Sequence, residues 1–146
     1  MRALIILFLS FLCFSMKAQI NNLPSFEKID GVTKAVMNPK LYPLLLKVHL
    51  STNTTNTEDF KNLITNLNHF EVYSADQKDS GQDLFKQMDS FVNVNSYTKL
   101  NDTTYELVNG EQKEYIVLKQ NSAEVPVLYA FTTKLDYSGI ENFSLM

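Results

Sequence analysis

The chain is poor in the residues that most chemistry needs. Its 146 residues include one cysteine, two histidines, four glycines, no tryptophan and, at position 2, a single arginine. Glycines at 31, 81, 110 and 139 build no phosphate loop and no dinucleotide fingerprint, and the Gly-x-Ser-x-Gly elbow of serine hydrolases is absent. Arginine is the side chain best suited to bidentate phosphate and guanine contacts. With one arginine, no basic run and a net charge of −3, the chain is a poor binder of nucleic acid or of an anionic membrane surface. No apolar run reaches the roughly 20 residues of a membrane span.

The longest apolar run is Leu4–Phe14, 11 positions after Arg2 and before Ser15-Met-Lys-Ala18. A short basic start, a short apolar stretch and a small residue before a cut make a secretory signal peptide, expected over residues 1–18. Cys13 lies within it, so the remaining chain has neither a disulfide nor a thiol nucleophile and must stand on core packing. Removing Met1–Ala18 takes two of the 13 basic residues and no acid, which leaves 11 against 16, a net charge of −5. The expected location is the periplasm or the cell envelope. Residues 19–25 read as a flexible lead-in and 26–146 as a single domain.

The spacing of apolar residues then gives the elements. Val32–Met37 reads as a strand, followed by a helix start at Asn38-Pro39. Leu41, Leu44, Leu45 and Val48 fall on one helical face, with Pro43 favouring a start near Tyr42. Thr55-Asn-Thr-Glu58 is a capping box before a helix carrying Phe60, Leu63, Ile64 and Leu67. His69–Tyr73 alternates as a strand, and Ser80 opens a third helix with Leu84, Phe85, Met88, Phe91 and Val92 toward the core. Asn109-Gly110 between Thr103–Val108 and Glu111–Lys119 signals a hairpin, which would set Glu106 opposite Lys113. Val125–Thr133 alternates, with Pro126 marking an edge or a bulge, and a last short strand is expected near Ile140–Leu145. The sum is an α+β two-layer sandwich: a mostly antiparallel sheet with about three helices on one face.

Several of these stretches resemble a known group. They are Ile29-Asp-Gly-Val-Thr-Lys-Ala-Val-Met-Asn38, Leu63-Ile-Thr-Asn-Leu67 with Phe70-Glu-Val-Tyr-Ser74, the hairpin ending in Tyr115-Ile-Val-Leu118, and Val125–Phe131 with Ser138-Gly-Ile140. The chain from about Phe26 to Phe143 is similar to small exported envelope proteins of Bacteroidota, catalogued as domain-of-unknown-function family 4252. The resemblance implies export and one α+β domain. It implies no activity and carries over no functional residue. Some members look lipid-anchored; here Ser10-Phe-Leu12 precedes Cys13 where small residues would be expected.

No catalytic residue, cofactor or metal ligand is assigned. His49 and His69 are 20 positions apart and share no ligand-spaced carboxylate. Aligning Gly81 with the glycine of a calcium loop puts Lys78 where a ligand belongs and Gln87 where a glutamate must close the site, so Asp76–Asp83 reads as a turn and a helix start. Asn53, Asn101 and Asn142 head glycosylation-type triplets, which an asparagine-rich chain contains by chance. Tyr105, Tyr115 and Tyr129 sit on strands and are the candidate interaction surface, since tyrosine offers contact area at small entropic cost. The preferred function is a non-enzymatic binding or interaction domain with an envelope protein as partner. The alternatives are a small-ligand or lipid carrier, with the apolar helix Leu41–Leu50 as its lid, and an exported hydrolase with an unrecognised site.

Overall fold

Six strands form one antiparallel sheet in the computed structural model, which describes residues 26–44, 57–120 and 124–141. The strands are β1 (Val32–Val36), β2 (Leu67–Ala75), β3 (Thr98–Lys99), β4 (Thr104–Asn109), β5 (Gln112–Gln120) and β6 (Pro126–Thr133). Their order across the sheet is β1-β2-β6-β5-β4-β3. Among the described residues three α-helices have both ends placed: α1 (Thr57–Asn66), α2 (Lys78–Val94) and the four-residue α3 (Tyr137–Ile140). The α+β architecture and the antiparallel sheet follow the sequence reading. The signal-peptide and lead-in segments, His49, Thr55 of the capping box and most of the Leu41–Leu50 helix lie outside the described residues.

The helices are shared between the two faces of the sheet rather than gathered on one. Successive strand residues point to opposite faces, and β5 is buried without alternation from Glu114 to Val117. Ile116 joins Tyr73, Leu128, Ala130 and the α2 residues Leu84, Met88, Phe91 and Val92 in one cluster. Tyr115, Val117, Phe70 and Phe131 join Leu63 and Ile64 of α1, Tyr42 and Ile140 in the other. Periodicity shows that a helix has an apolar face; it does not say which side of a sheet that face will meet.

Local chemistry explains several boundaries. Asn38 caps a turn of 3-10 helix, Pro39–Leu41, by accepting from Lys40 N at 3.0 Å. Tyr42 is buried there while Leu41 and Leu44, expected in the core, are 50% and 57% exposed. Helix α2 begins at Lys78, two residues before Ser80, because the Ser80 hydroxyl accepts from Gln77 N at 3.3 Å. Asp76 Oδ1 accepts from that same hydroxyl at 2.9 Å, so the acidic loop is a helix-start device. A Cβ on Gly81 would stand 2.5 Å from Pro126 Cδ, so this glycine lets α2 lie close on the first residue of β6.

The hairpin turn is displaced by one residue from its expected position. Asn109 pairs with Gln112, so the two turn residues are Gly110 and Glu111. Gly110 has φ +65°, as the first position of a type II′ turn requires. The shift sets Glu106 opposite Tyr115 and Val108 opposite Lys113, in place of a Glu106–Lys113 pair. The turn expected at Asp136–Gly139 is helical over Tyr137–Ile140, with Gly139 N donating to Asp136 O at 2.8 Å, and all but the first two residues of the strand expected near Ile140–Leu145 lie outside the described residues.

The hydroxyl of Thr104, on β4, is buried without a hydrogen-bond partner. An unpaired buried hydroxyl costs about 1–3 kcal/mol. Thr104→Val keeps the shape and the strand preference and removes the polar atom. It is expected to raise stability by about 1 kcal/mol, read as a higher urea midpoint at unchanged slope.

Candidate functional site: a polar corner on an apolar sheet

Glu71 is only 4% exposed on the face of the sheet that α2 covers, yet its carboxylate is fully engaged. Alternation along β2 places His69, Glu71 and Tyr73 on that face. Tyr73 OH donates to Oε2 at 2.7 Å, while His69 Nε2 and the Lys34 ammonium approach Oε1 at 2.8 and 3.2 Å. Burial pushes the Glu71 carboxyl upward, but hydrogen bonds from Tyr73, His69 and Lys34 outweigh it and hold the group below the usual carboxylate range. Burial, and then the Glu71 carboxylate, push the Tyr73 hydroxyl above its ordinary value. The Tyr73 ring packs edge-on against Phe26 at 5.2 Å, and Lys34 Nζ lies 5.4 Å from its centre. Each polar group here is fixed by packing.

The ladder extends this corner across the sheet. His69 pairs with Thr132 of β6, and Thr132 pairs on its other side with Glu114 of β5. Glu114 is 2% exposed and accepts from Tyr97 OH at 2.9 Å. Burial and Glu114 together push the Tyr97 hydroxyl upward. His69 and Lys34 keep 26% and 29% of their side-chain surface in water. The corner therefore presents an imidazole and an ammonium to solvent, with buried carboxylates behind them.

No protein-family model, curated protein or solved structure matches this chain. The resemblance to the exported family thus rests on the residues quoted for it, and the site has to be read from its own geometry.

The three tyrosines expected at an interaction surface do not share one. Tyr105 is 8% and Tyr115 0% exposed. Tyr105 belongs to the cluster under α2, whereas Tyr115 and the half-buried Tyr129 belong to the opposite one. Tyr115 OH donates to Glu106 Oε2 at 2.7 Å, and Lys119 Nζ lies 5.9 Å from the Tyr129 ring centre. The alternation of these strands gave no warning, because both faces of the sheet are covered. Sequence reading weighed His69 only as a metal ligand and did not single out Glu71 or Thr132. The available signal was His69, Glu71 and Tyr73 at two-residue spacing inside an apolar strand.

Among the described residues no helix is long and apolar enough to cross a membrane.

Proposed function

We propose that this is an exported, envelope-associated binding domain that takes a protein partner at the outer edge of β1 and the turn after it. The observation that carries this reading is an apolar stretch left in water. Val36, Leu41 and Leu44 are 56%, 50% and 57% exposed within nine residues of chain. Among the described residues β1 has a strand neighbour on one side only, and Thr33–Val36 are exposed. Edge strands are normally blunted by charge. The one charge on β1 is Lys34, and it is turned onto Glu71. Such an edge suits addition of a partner strand, with side chains such as Val36 supplying selectivity. Export is supported by Met1–Ala18 and by the family resemblance.

The test is capture from the native envelope with a C-terminally tagged full chain. One saturable protein partner should be retained, and Val36→Lys with Leu41→Lys should release it. Equal retention by both chains, or fractionation of the tagged protein with the cytoplasm, would overturn the reading.

A further inference from the structure

The hydrogen bonds that bracket β1 fix which of its backbone groups face outward. Asp76 N donates to Gly31 O at 2.8 Å, and Met37 N donates to Phe70 O at 3.0 Å. Both pairs continue the β1–β2 register, in which Val32 stands opposite Ala75 and Val36 opposite Glu71. Residues that exchange ladder bonds alternate along an antiparallel strand, so Gly31, Thr33, Ala35 and Met37 bond to β2. Val32, Lys34 and Val36 then turn their N–H and C=O groups away from the sheet. Val32 N is used locally, donating to Ile29 O at 3.0 Å. Lys34 and Val36 each keep a donor and an acceptor for a further strand.

Charge is divided along this edge. Glu27, Lys28 and Asp30 precede β1 and carry a net charge of −1; Lys40 follows it, and all four are exposed. Among the described residues none of the four is in an ion pair. An edge that is acidic at one end and basic at the other is complementary to itself turned end for end, which is the symmetry of a two-fold pair. Setting Lys34 opposite Val36 of the second copy avoids lysine facing lysine, a pairing that like charges disfavour. It also lays the apolar stem of Lys34 along the exposed Val36 of the second copy. Lys40 then lies at the end of the strand pair where Asp30 of the second copy stands.

We propose that the occupant of the β1 edge is a second copy of this chain. The two β1 strands pair antiparallel about a two-fold axis at Ala35 and join two six-stranded sheets edge to edge. Lys34 and Val36 of the second copy exchange both of their N–H···O bonds, and β1 becomes an interior strand. This inference rests on the reading of β1 as a partner-binding edge and names its occupant.

Sedimentation equilibrium of the purified full chain should give twice the mass of one chain, falling on dilution. Val36→Pro deletes an outward donor and leaves every bond to β2 in place. It should yield a monomer with an unchanged circular-dichroism spectrum. Asp30→Lys and Lys40→Glu should each weaken the dimer by about tenfold, since two exposed ion pairs become repulsive. Mixed together, these two variants should pair as tightly as the wild-type chain, because each supplies the charge that the other lacks. Neither touches the ladder, so they decide the matter if Val36→Pro fails to fold. A monomer up to about 1 mM, a dimer indifferent to Val36→Pro, or charge variants that do not recover on mixing would overturn the proposal. A different protein retained from the envelope and released by Val36→Lys with Leu41→Lys would overturn it too, while leaving β1 as a partner-binding edge.

Discussion

Glu71→Ala is expected to destabilise the domain by about 3 kcal/mol and to lower its melting temperature by about 10 °C. The change removes one carboxylate and strands three partners: the buried Tyr73 hydroxyl, His69 and Lys34. Breaking a buried ion pair costs about 3–5 kcal/mol. The lower end applies because Lys34 and His69 are partly wet and water relieves them. Glu71→Gln keeps the volume and an acceptor for Tyr73, and it should cost about half as much. The pH dependence has a definite sign. The folded carboxyl titrates below its ordinary value of 4.5, so the unfolded chain binds the proton more readily. The stabilisation is present above about pH 4.5 and is lost as pH falls through the lower folded value. Urea midpoints of the wild-type protein and Glu71→Gln should therefore converge on acidification from pH 7 to 3. Parallel curves would show that Glu71 is not the group responsible.

Phe131→Ala should cost more, about 4 kcal/mol, and is expected to leave the chain largely unfolded at moderate urea concentrations. Phe131 is fully buried on β6. Its ring lies 5.5 Å from Tyr115 and 6.1 Å from Phe70, which come from the two flanking strands. Truncation leaves a cavity that neither ring can fill while its own strand is fixed in the ladder. Phe131→Leu should recover more than half of the loss, because the volume deleted is smaller. Equilibrium unfolding of both variants, followed by fluorescence and circular dichroism together, measures the difference. A loss below about 1.5 kcal/mol would mean that the sheet repacks freely around this site.

The parts legible in the sequence were those with short-range causes. Alternation marked β2 and β6, the one-face spacing of Leu84, Met88, Phe91 and Val92 marked α2, and Asn109-Gly110 marked the hairpin. The turn slipped by one residue because Asn-Gly fits a type I′ turn with both residues central, while the chain uses Gly110 as the first of its two turn residues. That slip moved every predicted cross-strand pair. The face chosen by each helix depends on contacts between segments far apart in the chain, which periodicity does not carry. The polar corner was hidden for the same reason. His69 and Glu71 are neighbours in sequence, whereas Lys34, Thr132 and Glu114 reach them through three other strands. The pairing of His69 with Thr132 exists only once that register is known.

The order β1-β2-β6-β5-β4-β3 places the last described strand beside the second. Phe70 pairs with Phe131, so closing the sheet means closing a loop of about sixty residues that contains α2 and the whole β3–β5 meander. Such a topology has a high contact order and folds slowly. Until β6 arrives, β2 and β5 each present an open edge, and no fragment that stops short of Pro126 owns a finished core. For the proposed exported chain, the order means that β2 and β5 stay unjoined until β6, the last described strand, is available to pair with both.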